Sequence, residues 1–281
     1  MIEDKFPSIK ISQHKKILWI LAILITISSA VYQRLTGPTY SIRGSVTLEN
    51  SEIPFKLLRS ETTDQDVSIT LSVKDTAIGG YVKYKRFRSR DEWTQVPFQR
   101  SAETLQAFLP RQPAAGKIIY YVYLSKNDVT LSLTGEEAVV LRYKGPVPAI
   151  VLIPHVLIMF LAMLFSNRTA LETLDAAGNP KKLMIYTIVF FFVGGFILGP
   201  AVQKYAFGAF WTGFPFGYDL TDNKTLIGML GWLFAWYKNR KNKNSRVAIL
   251  FAALLLLAVY LIPHSLLGSE LDYTQVGPQT D

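Results

Sequence analysis

Residues 148–166 read PAIVLIPHVLIMFLAMLFS, without one Asp, Glu, Lys or Arg. An apolar run of about 20 residues is what a helix needs to cross a bilayer. The signal recurs at Ile17–Gln33, Leu183–Gln203 and Val247–Pro263. A weaker one, Thr225–Tyr237, lengthens if its helix begins near Asp219. Spans are therefore predicted at 17–33, 148–166, 183–203, 220–237 and 247–263. Residues 38–145 differ in kind, being ordinarily polar with short alternating runs. The predicted fold is a membrane α-helical bundle of five transmembrane helices with an inserted all-β antiparallel sandwich domain. Only 18% of the chain is charged, where a soluble domain carries nearer a quarter.

Lys and Arg near span ends set orientation. Lys5, Lys10, Lys15 and Lys16 precede the first span. Arg168, Lys181 and Lys182 lie between the second and third, and Lys238, Arg240, Lys241, Lys243 and Arg246 between the fourth and fifth. An odd number of spans puts all three groups on one side, the cytoplasmic one. The formal charge of +9 then reads as orientation signal, and no nucleic-acid partner is expected. The basic run Lys83–Arg88 reads as a solvated strand face.

The expected organisation is a cytoplasmic leader at 1–16, an anchor at 17–33, an extracytoplasmic domain at 38–145 and a four-helix region at 148–266. Within the last lies an outer aromatic loop at 205–222, and a tail at 267–281 follows it. Residues 1–30 also fit a signal peptide, with Ser28, Ser29 and Ala30 at the cleavage offsets; both readings stay open. The expected location is a bacterial inner membrane, multi-pass, with the N-terminus cytoplasmic and the sandwich and C-terminus outside.

Strands are predicted at 41–48, 67–73, 81–87, 94–98, 104–109, 117–124, 129–133 and 139–143, separated by turn signals such as Gly79-Gly80 and Lys126-Asn127-Asp128. Short strands at this spacing indicate a sandwich. Tyr81–Arg88 followed by Trp93, and Leu109-Pro110 through Ala115-Gly116 into Ile119-Tyr120-Tyr121-Val122, resemble the central strand pair and tyrosine corner of fibronectin type III and immunoglobulin-like domains. That resemblance implies binding or spacing more than catalysis, though fold is not function.

Several chemistries are closed by residue content. The chain has no cysteine, so disulfides, thiolate metal sites and cysteine nucleophiles are excluded. Its three histidines, His14, His155 and His264, leave none in the sandwich. No P-loop or dinucleotide fingerprint is present, and the cytoplasmic pieces are short. No buried charge is expected inside the spans, which weighs against a transporter.

His155 and His264 follow prolines in matching contexts, Ile-Pro-His, and two spans could in principle share a metal or b-type haem. At 1.5 Å per residue they sit about 18 and 27 Å from their inner helix ends, a poor match for two axial ligands. His264 with Asp219 and Asp222, all on the outer side, forms an alternative site for zinc, manganese or calcium. Against it, an acid at the start of the fourth helix serves as a cap. No cofactor is predicted, with a divalent metal or b-type haem as the alternative.

Gly195 and Gly199 form a small-xxx-small pair, for packing inside the bundle or against a partner subunit. The loop carries Phe207, Phe210, Trp211, Phe214, Phe216 and Tyr218, with Gly208, Gly213 and Gly217 among them. Its rings suit the membrane interface or a docking surface. The expected function is a non-enzymatic membrane binding or scaffold subunit. It would present its sandwich and aromatic loop to an envelope partner, with membrane lipid and a protein partner or homo-oligomer as contacts. The alternative is a metal- or haem-binding membrane enzyme or electron-transfer subunit using the outer His and Asp residues.

Overall fold

The apolar runs and the alternating stretch separate into two units in the computed structural model, which describes residues 15–175, 177–240, 245–263, 268 and 270–275. One unit comprises Met1–Gly37, Val147–Tyr205 and Ala209–Gly268; the other comprises Pro38–Pro146, Ala206–Gly208 and Ser269–Asp281.

Among the described residues the second unit has eleven strands: β1 (Ile42–Leu48), β2 (Ser51–Leu57), β3 (Ser60–Thr62), β4 (Val67–Ser72), β5 (Gly79–Arg86), β6 (Thr94–Pro97), β7 (Gln99–Ser101), β8 (Thr104–Leu109), β9 (Lys117–Lys126), β10 (Val129–Ser132) and β11 (Val139–Lys144). One sheet runs β3-β11-β9-β5-β6, with β10 also paired to β9; a second runs β4-β8-β7; β1 and β2 form a hairpin. All pairs are antiparallel except β3 with β11. Period-2 alternation does the sorting. Ile118, Tyr120, Val122 and Leu124 of β9 point into one core with Val67, Ile69 and Leu71 of β4 and Leu105 and Leu109 of β8. The sheets enclose this core as a β-sandwich does.

The alternation of β2, β3 and β7 was not legible. Pro54 interrupts β2, which is tolerated because β2 pairs with β1 alone. The expected tyrosine corner is differently wired. Tyr120 donates to Leu58 O at 2.8 Å, and it is Tyr143 that reaches Pro110 O, at 3.0 Å. Burial pushes both phenols well above their usual range.

The first unit holds α1 (Lys15–Thr36), α2 (Ala149–Thr173), α3 (Lys181–Phe192), a π-helical segment (Val193–Leu198), α4 (Gly199–Phe207), α5 (Leu220–Asn239) and α6 (Arg246–Leu261). The final residues of α4 belong to the other unit. Among the described residues three helical runs, not five, are long and apolar enough to cross a membrane: Lys15–Thr36, Ala149–Thr173 and the continuous Lys181–Phe207. The apolar α6 falls short in length, and α5 carries Asp222, Lys224 and Lys238. Even so, every one of these runs leaves large apolar side chains exposed, including Leu24, Leu157, Val189, Leu230, Phe234, Phe251 and Leu254.

Small residues set the packing of this unit. A Cβ on Gly228 would lie 2.9 Å from Leu256 and 3.0 Å from Phe191, so α5 approaches α6 and α3 closely there. Gly195 faces Thr225 of α5, and Gly199 lies near His155 of α2. Both glycines of the small-xxx-small pair are therefore used within the chain. Trp232 of α5 is fully buried among Met163, Met184, Ile249 and Ala252.

Candidate functional site

The polar start of α5 is where the aromatic loop acquires its shape. Asp219 is the N-cap residue, its carboxylate accepting from Thr221 N at 2.8 Å and Asp222 N at 3.4 Å. Asp222 follows in the first turn and is buried. One of its oxygens accepts from Thr212 N at 2.6 Å, Gly213 N at 3.0 Å and Thr212 Oγ1 at 3.3 Å. Asn223 Oδ1 accepts from Phe214 N at 2.7 Å. Gln203 of α4 donates to Thr212 Oγ1 at 2.6 Å.

The loop also bonds to itself. Gly213 O accepts from Phe216 N and Gly217 N, and Thr212 O accepts from Asp219 N. Trp211 Nε1 donates to Phe214 O at 3.0 Å. Its glycines have separate roles. Gly208 sits at φ +85°, a conformation that disfavours other residues. Gly213 and Gly217 are needed for space: a Cβ would lie 2.5 Å from Asp222 Cβ and 2.4 Å from Thr212 O respectively. Buried backbone amides need partners, and two side chains of one helical turn supply them.

A loop so fixed still turns most of its rings outward. Phe210, Phe214, Phe216 and Tyr218 are 60, 66, 82 and 95% exposed. Trp211 is the exception, stacking on Phe196 at 5.7 Å, which in turn stacks on Phe192 at 6.0 Å. Phe207 leaves the group altogether. It belongs to the sandwich unit, where its ring lies 4.3 Å from the guanidinium of Arg142.

The histidine readings fare differently. His155 Nδ1 lies 3.1 Å from Gly194 O, in the π-helical segment. Such wide turns displace carbonyls from the regular ladder, and His155 pairs with one of them. His264 lies outside the described residues, so its pairing with His155 or with the aspartates does too. Among the described residues, no three His, Cys, Asp or Glu side chains come together in a way that could hold a metal ion. Asp219 and Asp222 share the start of α5, where one oxygen of each accepts backbone amides.

The helices bury charges that lie beyond or at the edge of the apolar runs. α2 continues past Ser166, where apolar content ends, to Thr173. In that extension Arg168 and Glu172 are buried and pair at 2.6 Å, an i,i+4 contact. Arg168 also lies 5.4 Å from the Trp19 ring. Around them Asn167 donates to Thr26 Oγ1, Asn179 N donates to Glu172, and Arg246 donates to Thr173 O and Asp175 O. In α5, Lys224 is buried and donates to Ile262 O at 2.7 Å. The Arg168–Glu172 spacing was the available signal; apolar run length alone ended the helix too soon.

Comparisons with protein-family models, with curated proteins and with solved structures found no match.

Proposed function

We propose that this chain is a non-enzymatic integral membrane subunit that docks an envelope partner through its aromatic loop. The observation that carries the reading is the pairing of rigid backbone with outward rings. A loop anchored at Thr212, Gly213 and Phe214 spends side-chain and backbone bonds on holding Phe214, Phe216 and Tyr218 away from its own core. Exposed aromatic clusters of this kind mark interaction sites, and a fixed loop loses little entropy on binding.

The membrane reading extends to α5 and α6. Their exposed faces are as apolar as those of the longer helices, and both suit a lipid-facing bundle. Sidedness has its own support. Gly145 N donates to Ala206 O, and Leu271 N donates to Ala115 O. Ala206 and Leu271 belong to the sandwich unit itself, and residues of one compact unit share one side of a membrane. On this reading α2 with the α3–α4 run crosses and returns, and α5 with α6 does so again. The Lys- and Arg-rich connections then face the cytoplasm of a bacterial cell, with the sandwich, immunoglobulin-like in character, outside.

The test is in-cell photocrosslinking from positions 214, 216 and 218, followed by purification in mild detergent. A discrete adduct from these positions, lost when Asp222 is replaced by Ala, is expected. A monodisperse monomer with no reproducible adduct sinks the reading.

A further inference from the structure

The sandwich unit holds a short peptide of this chain against its surface. Residues 270–275, Glu-Leu-Asp-Tyr-Thr-Gln, lie along the corner formed by 112–117 and the end of β5. Glu270 is gripped by two cations, its carboxylate oxygens pairing separately with Arg88 Nη1 and Lys117 Nζ. One backbone bond follows, from Leu271 N to Ala115 O at 3.1 Å. Tyr273 is the anchor. It is 6% exposed, its hydroxyl donates to Gln112 Oε1 at 2.9 Å, and the Arg86 guanidinium lies 4.7 Å from its ring. Arg86 is itself held by Asp91, with both contacts under 3 Å. Asp272 Oδ1 accepts from Thr274 N at 3.0 Å, closing a tight turn.

The receiving surface is shaped for this fit. A Cβ on Gly116 would come 2.4 Å from Tyr273 Oη. Ala115, whose carbonyl takes the peptide's amide, sits at φ +65°. That conformation is uncommon for a residue with a side chain, and it is held by Ala115 N to Tyr143 O and Tyr143 N to Gly116 O. The corner thus combines a cation pair, a free-standing carbonyl and an aromatic slot, all supplied by residues 86–117.

We infer that this corner is a recognition site for an extended acidic-aromatic peptide, Glu-x-x-Tyr in pattern, and that the tail fills it in cis until a partner protein's segment of the same chemistry displaces it. The contacts are those of peptide docking generally: charge fixes one end, a backbone bond sets register and a buried ring supplies the anchor. The aromatic loop has no part in the inference, so it stands or falls apart from the proposed function.

The test uses full-length protein in detergent and a fluorescein-labelled peptide of sequence ELDYTQ. Tyr273→Ala empties the slot, and a chain ended after Gly268 removes the occupant entirely. Both are expected to bind the labelled peptide saturably, at least about tenfold tighter than the wild type, whose site is filled. Adding Lys117→Glu or Gly116→Val to either is expected to abolish binding. Thermal unfolding is followed alongside. Variants that melt like the wild type yet fail to bind the peptide overturn the inference. So does wild-type protein that binds equally well, and so does loss of the folded sandwich in both tail variants, which would make the tail an inseparable part of the core.

Discussion

The buried carboxylate of Asp222 accepts the backbone amide of Thr212 at 2.6 Å, tying the first turn of α5 to a loop ten residues earlier. The same oxygen takes Gly213 N at 3.0 Å. Asp222→Ala strands two amides, each costing about 1–3 kcal/mol when left buried without a partner. Amide hydrogen exchange at 210–217 should rise sharply while the sandwich core stays protected. Asp222→Asn keeps one acceptor oxygen and should fall between. Unchanged exchange in the alanine variant would show that the loop holds itself.

Arg168 and Glu172 predict a non-additive pair. Among the described residues Nε and Nη1 of Arg168 have no hydrogen-bond partner, so the guanidinium depends on Glu172 and the Trp19 face. Removing one member of a buried pair costs about 3–5 kcal/mol, while replacing both with apolar residues is often near neutral. Arg168→Met and Glu172→Leu should each lower the melting temperature in detergent strongly. The double variant should recover most of the loss. Additive losses would mean that the two charges act independently.

The sandwich should lose stability in acid and again in strong base. Lys126 Nζ pairs with both Glu49 and Asp75. Hydrogen bonding to Lys126 leads the causes that hold Glu49 below the ordinary glutamate value of 4.5. For Asp75, below 3.8, the Ala77 amide leads and Lys126 comes second. A carboxylate with a depressed folded pKa stabilises above its unfolded value, so this contribution is complete above about pH 5 and is lost as pH falls through the folded values. Lys126 is raised above 10.5, chiefly by Glu49; its share is complete below that value and is lost as pH climbs through the folded pKa. Melting against pH should be flatter at both ends for Lys126→Met. Because all three groups are reached by solvent, about 0.5 M salt should shrink the difference.

A chain without cysteine permits a direct topology map. Single cysteines at Glu136, Tyr218, Lys182 and Arg240 sit on exposed side chains. In intact cells an impermeant maleimide should label positions 136 and 218 only. After permeabilisation all four should react. Labelling of position 240 in intact cells would rule out α5 and α6 as a crossing pair.

Run length and period were enough to find the helical runs and most strands, because both are local properties. The period-2 pattern of Ile118, Tyr120, Val122 and Leu124 follows from backbone geometry wherever β9 pairs. Where local pattern and tertiary need diverged, the sequence misled. Ser166–Thr173 is polar, yet it continues α2, because Asn167, Arg168 and Glu172 find Thr26, Trp19 and Asn179 in the assembled unit.

The candidate site divides the same way. The aromatic loop was visible as composition, and Asp219 as a cap. That Asp222 organises the loop was not visible, since its main partners are backbone amides, which every residue but proline carries. Phe207 read as one ring among six until Arg142 claimed it.

By itself the sequence determined which segments avoid water, which alternate and which chemistries a chain without cysteine lacks. Those depend on side-chain transfer energies and on helical and strand periods, which need no neighbours. The tertiary structure alone decided that Gly195 and Gly199 pack within the chain, that Arg168 and Glu172 are buried together, and that residues 270–275 lie against Lys117 and Gly116. Each depends on neighbours far apart in sequence, such as Trp19 beside Arg168 and Thr225 beside Gly195, and only the closed fold brings such groups together.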